Sequence, residues 1–169
     1  MKNNLCIKNK KSIGSFFAGM AVLSLFVFSG CEFGKKKEKK EVLLVVNVLA
    51  KDLYDDCHIP GSIQVDFDKV AEVSKGWLKS TKIVAYCANY ACTASAVVAR
   101  DLKAQGFDAY EYAAGMAGWF QSGLPVEGPA QSPYLRQPNE KHTEEMAGVS
   151  VITTDELKQW LDEEEGVKK

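Results

Sequence analysis

The chain has 169 residues, a formal net charge of −1 and 46% hydrophobic residues, which suits one ordinary domain with its own core. The charge balance offers no basic patch of the kind that binds nucleic acid, so no nucleic-acid partner is expected. The two histidines, His58 and His142, stand far apart, and without tighter Cys/His ligand pairs no metal site is expected.

The front of the chain reads as processing signal. Lys2, Lys8, Lys10 and Lys11 precede the apolar run IGSFFAGMAVLSLFVFS, so residues 1–30 are assigned to a signal peptide. The run ends in FSGC, with Gly30 just before Cys31. That ending resembles the lipobox of bacterial lipoproteins, with Phe28 where leucine is usual. The resemblance implies that Cys31 is lipidated, becomes the first residue of the mature chain and anchors it in a membrane; three acyl chains bury enough methylenes for stable anchoring. The competing reading is one membrane-spanning anchor, for which the run is short. Either way the domain is expected outside the cytoplasm, held at the cell envelope. Residues 31–41 follow as a Lys-rich, solvated tether.

Cys6 leaves with the signal and Cys31 carries lipid, so Cys57, Cys87 and Cys92 remain in the mature domain. An odd number cannot pair completely within one chain, so at least one free thiol is expected even in an oxidising compartment.

VLLVVNVL, residues 42–49, is a continuous β-branched run, suited to a strand covered on both faces of a parallel sheet. KDLYDD predicts a short helix. CHIPGSIQV carries a Pro60-Gly61 turn and a brief strand at Ile63 and Val65. DFDKVAEV predicts another short helix, and KIVAYC, 82–87, a second buried strand. Thr93 is placed to cap a helix over 94–105, whose Ala94, Val97, Val98 and Leu102 fall at helical spacing before a Gly106 stop. AYEYAA predicts a third central strand and GMAGWFQSG a helix rich in small residues. Strands and helices alternating at this pitch mean an α/β domain with a central parallel sheet flanked by helices. Residues 129–148, polar and holding Pro129, Pro133 and Pro138, read as a linker. In residues 149–169, Val149, Val151 and Ile152 suit a short strand, Thr153 to Glu156 form a capping box, and Leu157, Trp160 and Leu161 form an apolar stripe.

The stretch AYCANYACTASA carries the chemistry. Cys87 closes a predicted central strand, where reactive groups gather in parallel sheets. The small residues Ala88 and Ala91 let backbone N–H groups turn inward, and together with the helix dipole they favour an anion at the loop's centre. Such a site lowers the pKa of Cys87 and makes it a nucleophile. The bland alternative is an inert core cysteine.

Most of residues 42–128 resembles a rhodanese-like (sulfurtransferase) domain. HIPGS, with His58 and Gly61, matches that family's signature loop. YC followed by five residues and Thr93 matches its Cys-loop, LKAQGF the end of the following helix, and AGMAGWFQSGLPV its closing segment, with Ala114 in place of the first glycine. The resemblance implies a rhodanese-like fold and a mechanism: Cys87 takes a sulfane sulfur from a donor, becomes a persulfide, and passes the sulfur to an acceptor thiol or cyanide. The amides of Ala88, Asn89, Tyr90, Ala91, Cys92 and Thr93 would cradle the terminal sulfur, and the Thr93 hydroxyl would add a hydrogen bond. No metal or organic cofactor is implied. His58 would fix its loop rather than act as a base, Cys57 would be a buried thiol, and Trp119 with Phe120 would pack the core.

Three departures qualify this. The family's Asp-Val-Arg after the first central strand is here Asn47-Val48-Leu49. The arginine within the Cys-loop is replaced by Cys92, so thiosulfate, a dianion suited to an arginine fork, should bind poorly. The same absence argues against a dual-specificity phosphatase. Cys92 is either a resolving thiol for Cys87, giving a thiol–disulfide redox protein, or a space-filling residue where the helix begins; a non-catalytic binding module is the third reading. Finally, the family's opening strand and helix are missing from the front, while VITTDELKQWLDEEEG at the end looks like them. A circular permutation is expected, the tail completing the sheet edge. A truncated second domain, a swap into a neighbouring molecule and an unrelated surface helix are the alternatives.

Overall fold

The computed structural model describes residues 42–141 and 146–167; the expected signal peptide, Cys31 and its tether lie outside these residues. The two β-branched runs pair with each other. β1 (Val42–Asn47) and β3 (Thr81–Tyr86) run parallel from Val42 opposite Thr81 to Asn47 opposite Tyr86. β4 (Asp108–Tyr112) lies on the far side of β3, and β2 (Ile63–Gln64) on the far side of β1, giving the all-parallel order β2-β1-β3-β4.

Side chains alternate across a strand, and both faces of this sheet are covered. On one face Ile83 and Ala85 meet Val98, Ala99 and Leu102 of α3 (Ala94–Ala104). On the other, Val84 and Tyr86 meet Met116 and Trp119 of α4 (Gly115–Gln121), together with Leu135 and Leu157. That two-sided burial explains why these strands read as continuous apolar runs rather than as alternation. Two short helices lie between β1 and β3, α1 (Lys51–Asp56) and α2 (Val70–Val73). No helix among the described residues is long and apolar enough to cross a membrane.

The end of α3 follows its sequence signal. Gly106 has φ +86°, its N–H donates to Lys103 O, and Phe107 N–H reaches back to Leu102 O, the bonding of a Schellman stop. The start does not. Thr93 sits at φ −87°, ψ −3° with no side-chain cap bond and is exposed. A cap needs extended backbone to aim its oxygen at the first-turn amides, and the Cys-loop delivers Thr93 already helical.

Residues 129–148, expected as a linker, are packed where they are described. The Asp56 carboxylate accepts the N–H groups of Gln131 and Ser132 at 2.8 Å each, and Ala130 N–H donates to Asp56 O at 2.7 Å. A 3₁₀ turn over Pro133–Arg136 then buries Leu135 completely. These amides find acceptors more than seventy positions back in the chain, so local polarity gave no warning of them.

The tail docks on its own domain. Glu111 N–H donates to Ser150 O and Ile152 N–H to Glu111 O, both at 2.9 Å, making a parallel bridge between Val151 and the outer edge of β4. The pairing stops at this bridge rather than extending into a strand. Thr153 then caps α5 (Thr154–Val167): its N–H donates to Glu156 Oε2 at 2.8 Å, and Glu156 N–H returns to Thr153 Oγ1 at 3.2 Å, a reciprocal capping box. Leu157 is fully buried, and Trp160 meets Tyr110 edge-on at 5.0 Å.

Candidate functional site: a loop with two thiols

The site is the turn from β3 into α3. Tyr86, the last residue of β3, ties the signature loop to it. Its hydroxyl oxygen accepts Ile59 N–H at 3.1 Å and lies 3.0 Å from Ser62 Oγ, which donates to Ile59 O at 2.6 Å. Gly61, at φ +75°, makes the turn between them possible. His58 is a structural residue of the same loop. Nδ1 faces Tyr54 O at 2.8 Å and must therefore carry the proton, while Nε2 lies 3.0 Å from Glu127 Oε2 and the ring stacks on Tyr54 at 3.9 Å. The His58 and Glu127 backbones also pair with each other. Cys57 is fully buried, and burial pushes its thiol up to about 11, as fits an inert core thiol.

The start of α4 supports the loop from below. Met116 N–H donates to Cys87 O and Ala117 N–H to Ala88 O, both at 2.8 Å. The approach is close enough that a Cβ on Gly115 (φ +61°) would stand 2.7 Å from Ala88 C, Asn89 N and Cys87 O. Only glycine fits there.

The inward ring of free amides expected from the sequence is only partly present. Tyr90 N–H donates to Asn139 Oδ1 at 3.0 Å, Ala91 N–H to Asn89 Oδ1 at 3.2 Å, and Cys92 N–H to Asn89 O at 3.1 Å. Asn139 also donates from Nδ2 to Ala114 O at 2.8 Å, so one side chain from the packed segment clamps both the loop and the approach to α4. A groove of about 370 Å³ opens between Asn89 and Ala91 on one side and Pro138 to Glu140 on the other.

The two thiols differ in the way opposite to expectation. Cys87 is fully buried. Its S–H lies 3.2 Å from the Cys92 carbonyl oxygen and 3.4 Å from Ser95 Oγ. The Ser95 hydroxyl donates to Glu111 Oε1 at 2.9 Å. A thiolate at Cys87 would be desolvated and would face the Cys92 carbonyl oxygen, with the Ser95 hydroxyl and backbone N–H acting in its favour. The hydrogen bond to Cys92 and burial both push the Cys87 thiol well up, the reverse of the lowered pKa expected for it. Cys92 is partly exposed. A hydrogen bond from Cys87 and the backbone N–H groups of Ala94 and Ala88 lower its thiol to about 6, against the opposing effect of burial. None of the described cysteines is in a disulfide.

Ser95, Glu111 and Asn139 were not singled out from the sequence. Glu111 carried a signal, a charged residue inside the otherwise apolar AYEYAA strand, now seen buried on β4. Ser95 and Asn139 carried none, because their partners are distant in the chain. Arg100 pairs with Asp101 on the exposed side of α3, and Arg136 lies over the Phe120 ring at 5.0 Å; these are the chain's two arginines, and neither stands in for the missing loop arginine.

A family model, the Rhodanese-like domain, matches residues 32–122. Among solved structures, the BH2092 protein of Bacillus halodurans is 29% identical, with a TM-score of 0.50 over 54% of this chain and 67% of that one. The Alr3790 protein of Anabaena sp. is 26% identical, with a TM-score of 0.47 over 52% and 68%. A rhodanese with anions from E. coli is 19% identical, with a TM-score of 0.43 over 52% and 99%. No curated protein matches the chain.

Proposed function

Because the chain belongs to the rhodanese-like domain family, we propose that it handles sulfane sulfur in the manner of a sulfurtransferase, taking it up as a persulfide within the loop from Cys87 to Thr93 and passing it to a thiol. The observation that carries this reading is the placement of Cys87, at the carboxyl end of central strand β3, in a short loop that runs directly into α3. An anionic persulfide formed there would be favoured by the Ser95 backbone N–H and hydroxyl, which lower the pKa of the Cys87 thiol against burial. Such donors stabilise a soft anion without a metal. The groove beside Asn89 and Ala91 offers a donor or acceptor a place to approach. The sequence of residues 1–31 supports a tether, with lipid on Cys31 holding the domain at the membrane of a bacterial envelope.

Exposure of the reduced full chain to a small persulfide donor tests the reading. Sulfur gain by intact mass, or release of sulfide, is expected from the intact chain and not from the double variant Cys87→Ala/Cys92→Ala. Inertness of the intact chain would leave a non-catalytic binding module. Radiolabelling with palmitate, lost in Cys31→Ala, tests the tether separately.

A further inference from the structure

Resting on that reading, we propose that Ser95 and the buried Glu111 form a proton relay for Cys87: the thiol gives up its proton through the Ser95 hydroxyl to the Glu111 carboxylate before it takes up sulfur, and recovers it once the sulfur has been passed on. Three observations lead there. The chain of contacts is continuous, with Cys87 Sγ 3.4 Å from Ser95 Oγ and that hydroxyl donating to Glu111 Oε1 at 2.9 Å, the reach that proton transfer to a base requires. Both relay residues are sealed from water, Ser95 with no exposed surface and Glu111 with 6%, so a proton leaving Cys87 by this path passes to a fixed acceptor rather than to solvent. Glu111 is also out of keeping with its surroundings. It stands opposite Ala85 on the sheet face that carries Ile83, Ala85, Cys87 and Ala109, where a carboxylate costs stability unless it is hydrogen-bonded. Its backbone is pinned by the tail, the N–H donating to Ser150 O and the carbonyl accepting Ile152 N–H, both at 2.9 Å. Ser95 touches the reacting sulfur, and Glu111 acts on it only through Ser95. The relay also accounts for a serine hydroxyl that donates to Glu111 and yet favours charge on Cys87: with each proton moved one place along, the serine O–H donates to sulfur. Among the described residues, Cys92 of the loop opposes charge on Cys87, and Tyr134 of the 3₁₀ turn lies within electrostatic reach of it. On α3, Lys103 donates to Ser150 Oγ, and Arg100 pairs with Asp101.

The chemistry closes on itself. The Cys87 S–H bond breaks as its proton passes to Ser95 Oγ and the serine's own proton passes to Glu111 Oε1, leaving a Cys87 thiolate and a neutral carboxylic acid. The thiolate is the nucleophile in sulfur exchange. It attacks the sulfane sulfur of a persulfide R–S–SH; the donor's S–S bond breaks, Cys87–S–SH forms, and R–S⁻ leaves. An acceptor thiolate R′–S⁻ then attacks the outer sulfur of Cys87–S–SH. That S–S bond breaks, R′–S–SH departs, and the Cys87 thiolate left behind takes its proton back through Ser95 from Glu111. Sulfur has moved from one thiol to another with no net oxidation, and Glu111 is a carboxylate again.

The experiment compares the reduced full chain with Glu111→Gln, Ser95→Ala and the double variant Ser95→Ala/Glu111→Gln from about pH 6 to about pH 10, on either side of a free thiol's titration. Two rates are followed at Cys87, located by peptide fragmentation: sulfur uptake from glutathione persulfide, and alkylation by iodoacetamide. Each single variant is expected to slow both reactions at least about 10-fold near neutral pH, with the gap closing toward the alkaline end as hydroxide takes over as the base. The double variant is expected to be no slower than the slower single one, because the two residues act in series. A slowing of the same size at every pH, or losses that multiply in the double variant, would give Ser95 and Glu111 a packing role and overturn the relay. An alkylation profile unmoved by Glu111→Gln would overturn it as well. The sulfur reading fails separately: an intact chain that takes up no sulfur would overturn that reading, while alkylation, which needs no sulfur donor, still decides the relay.

Discussion

Replacing Gly115 with alanine should loosen the two-thiol loop more than any other single-methyl change. The added Cβ would stand 2.7 Å from three backbone atoms of the loop. Reaching ordinary contact requires a retreat of roughly 0.7 Å or more. Backbone cannot swing aside like a side-chain tip, so the retreat stretches the bonds from Met116 N–H to Cys87 O and from Ala117 N–H to Ala88 O, both 2.8 Å at present. Each such bond contributes about 0.5–1.5 kcal/mol net. Alanine at φ +61° adds about 1–2 kcal/mol of backbone strain. The expected loss is about 2–5 kcal/mol, read as a lower midpoint in equilibrium urea unfolding at unchanged slope. Gly123→Ala is the control: φ is +70° there, but nothing lies within 4 Å of the new Cβ, so only the strain remains. Equal losses for the two variants would refute the argument that close approach of α4 fixes the loop.

The remaining predictions concern the thiols and the tail. Mass-mapped alkylation of Cys92 should rise through about pH 6, well below the free-cysteine value of about 8.5. Cys87→Ala removes the largest cause of that depression, so the midpoint should move up, and an unmoved midpoint would show that Cys87 does not stabilise the thiolate. The stability linked to this thiolate has a definite sign: it is present above the unfolded thiol's pKa and is lost as pH falls through about 6. Thiosulfate should be a far poorer donor than a persulfide, because no arginine reaches the loop; comparable initial rates of sulfide release would contradict this. Leu157→Ala should cost about 2–5 kcal/mol, as for other fully buried leucines, and removal of residues 149–169 should lower the melting temperature further; an unchanged melting temperature would sink the idea that the tail completes the sheet.

What could be read from the sequence was whatever a short window contains. β1, β3 and β4 announce themselves because burial on both faces favours apolar residues along most of their length, with Asn47, Thr81 and Glu111 as buried exceptions. The Thr153–Glu156 box and the Gly106 stop are complete within a few positions. β2, reduced to Ile63 and Gln64, is too short to leave a periodic signal. Leu135 is one apolar residue in a polar stretch, and its burial depends on Asp56. The place of Cys87 at the end of β3 was legible, but the surroundings of its sulfur were not. The spacing of Cys87 and Cys92 says nothing of the Ser95 and Glu111 side chains that the fold brings up beside the Cys87 sulfur.

The Asn139 clamp has a practical consequence for where this domain can be cut. The family match ends at residue 122, yet the acceptor for Tyr90 N–H, the buried Leu135 and the capped helix over the β4 edge all come later. A fragment trimmed to the matched residues would expose Tyr112, Met116 and Trp119 where Leu135 and Leu157 now cover them. It would also leave the two-thiol loop held only from below. Instability of such a fragment would reflect a missing wall of the core.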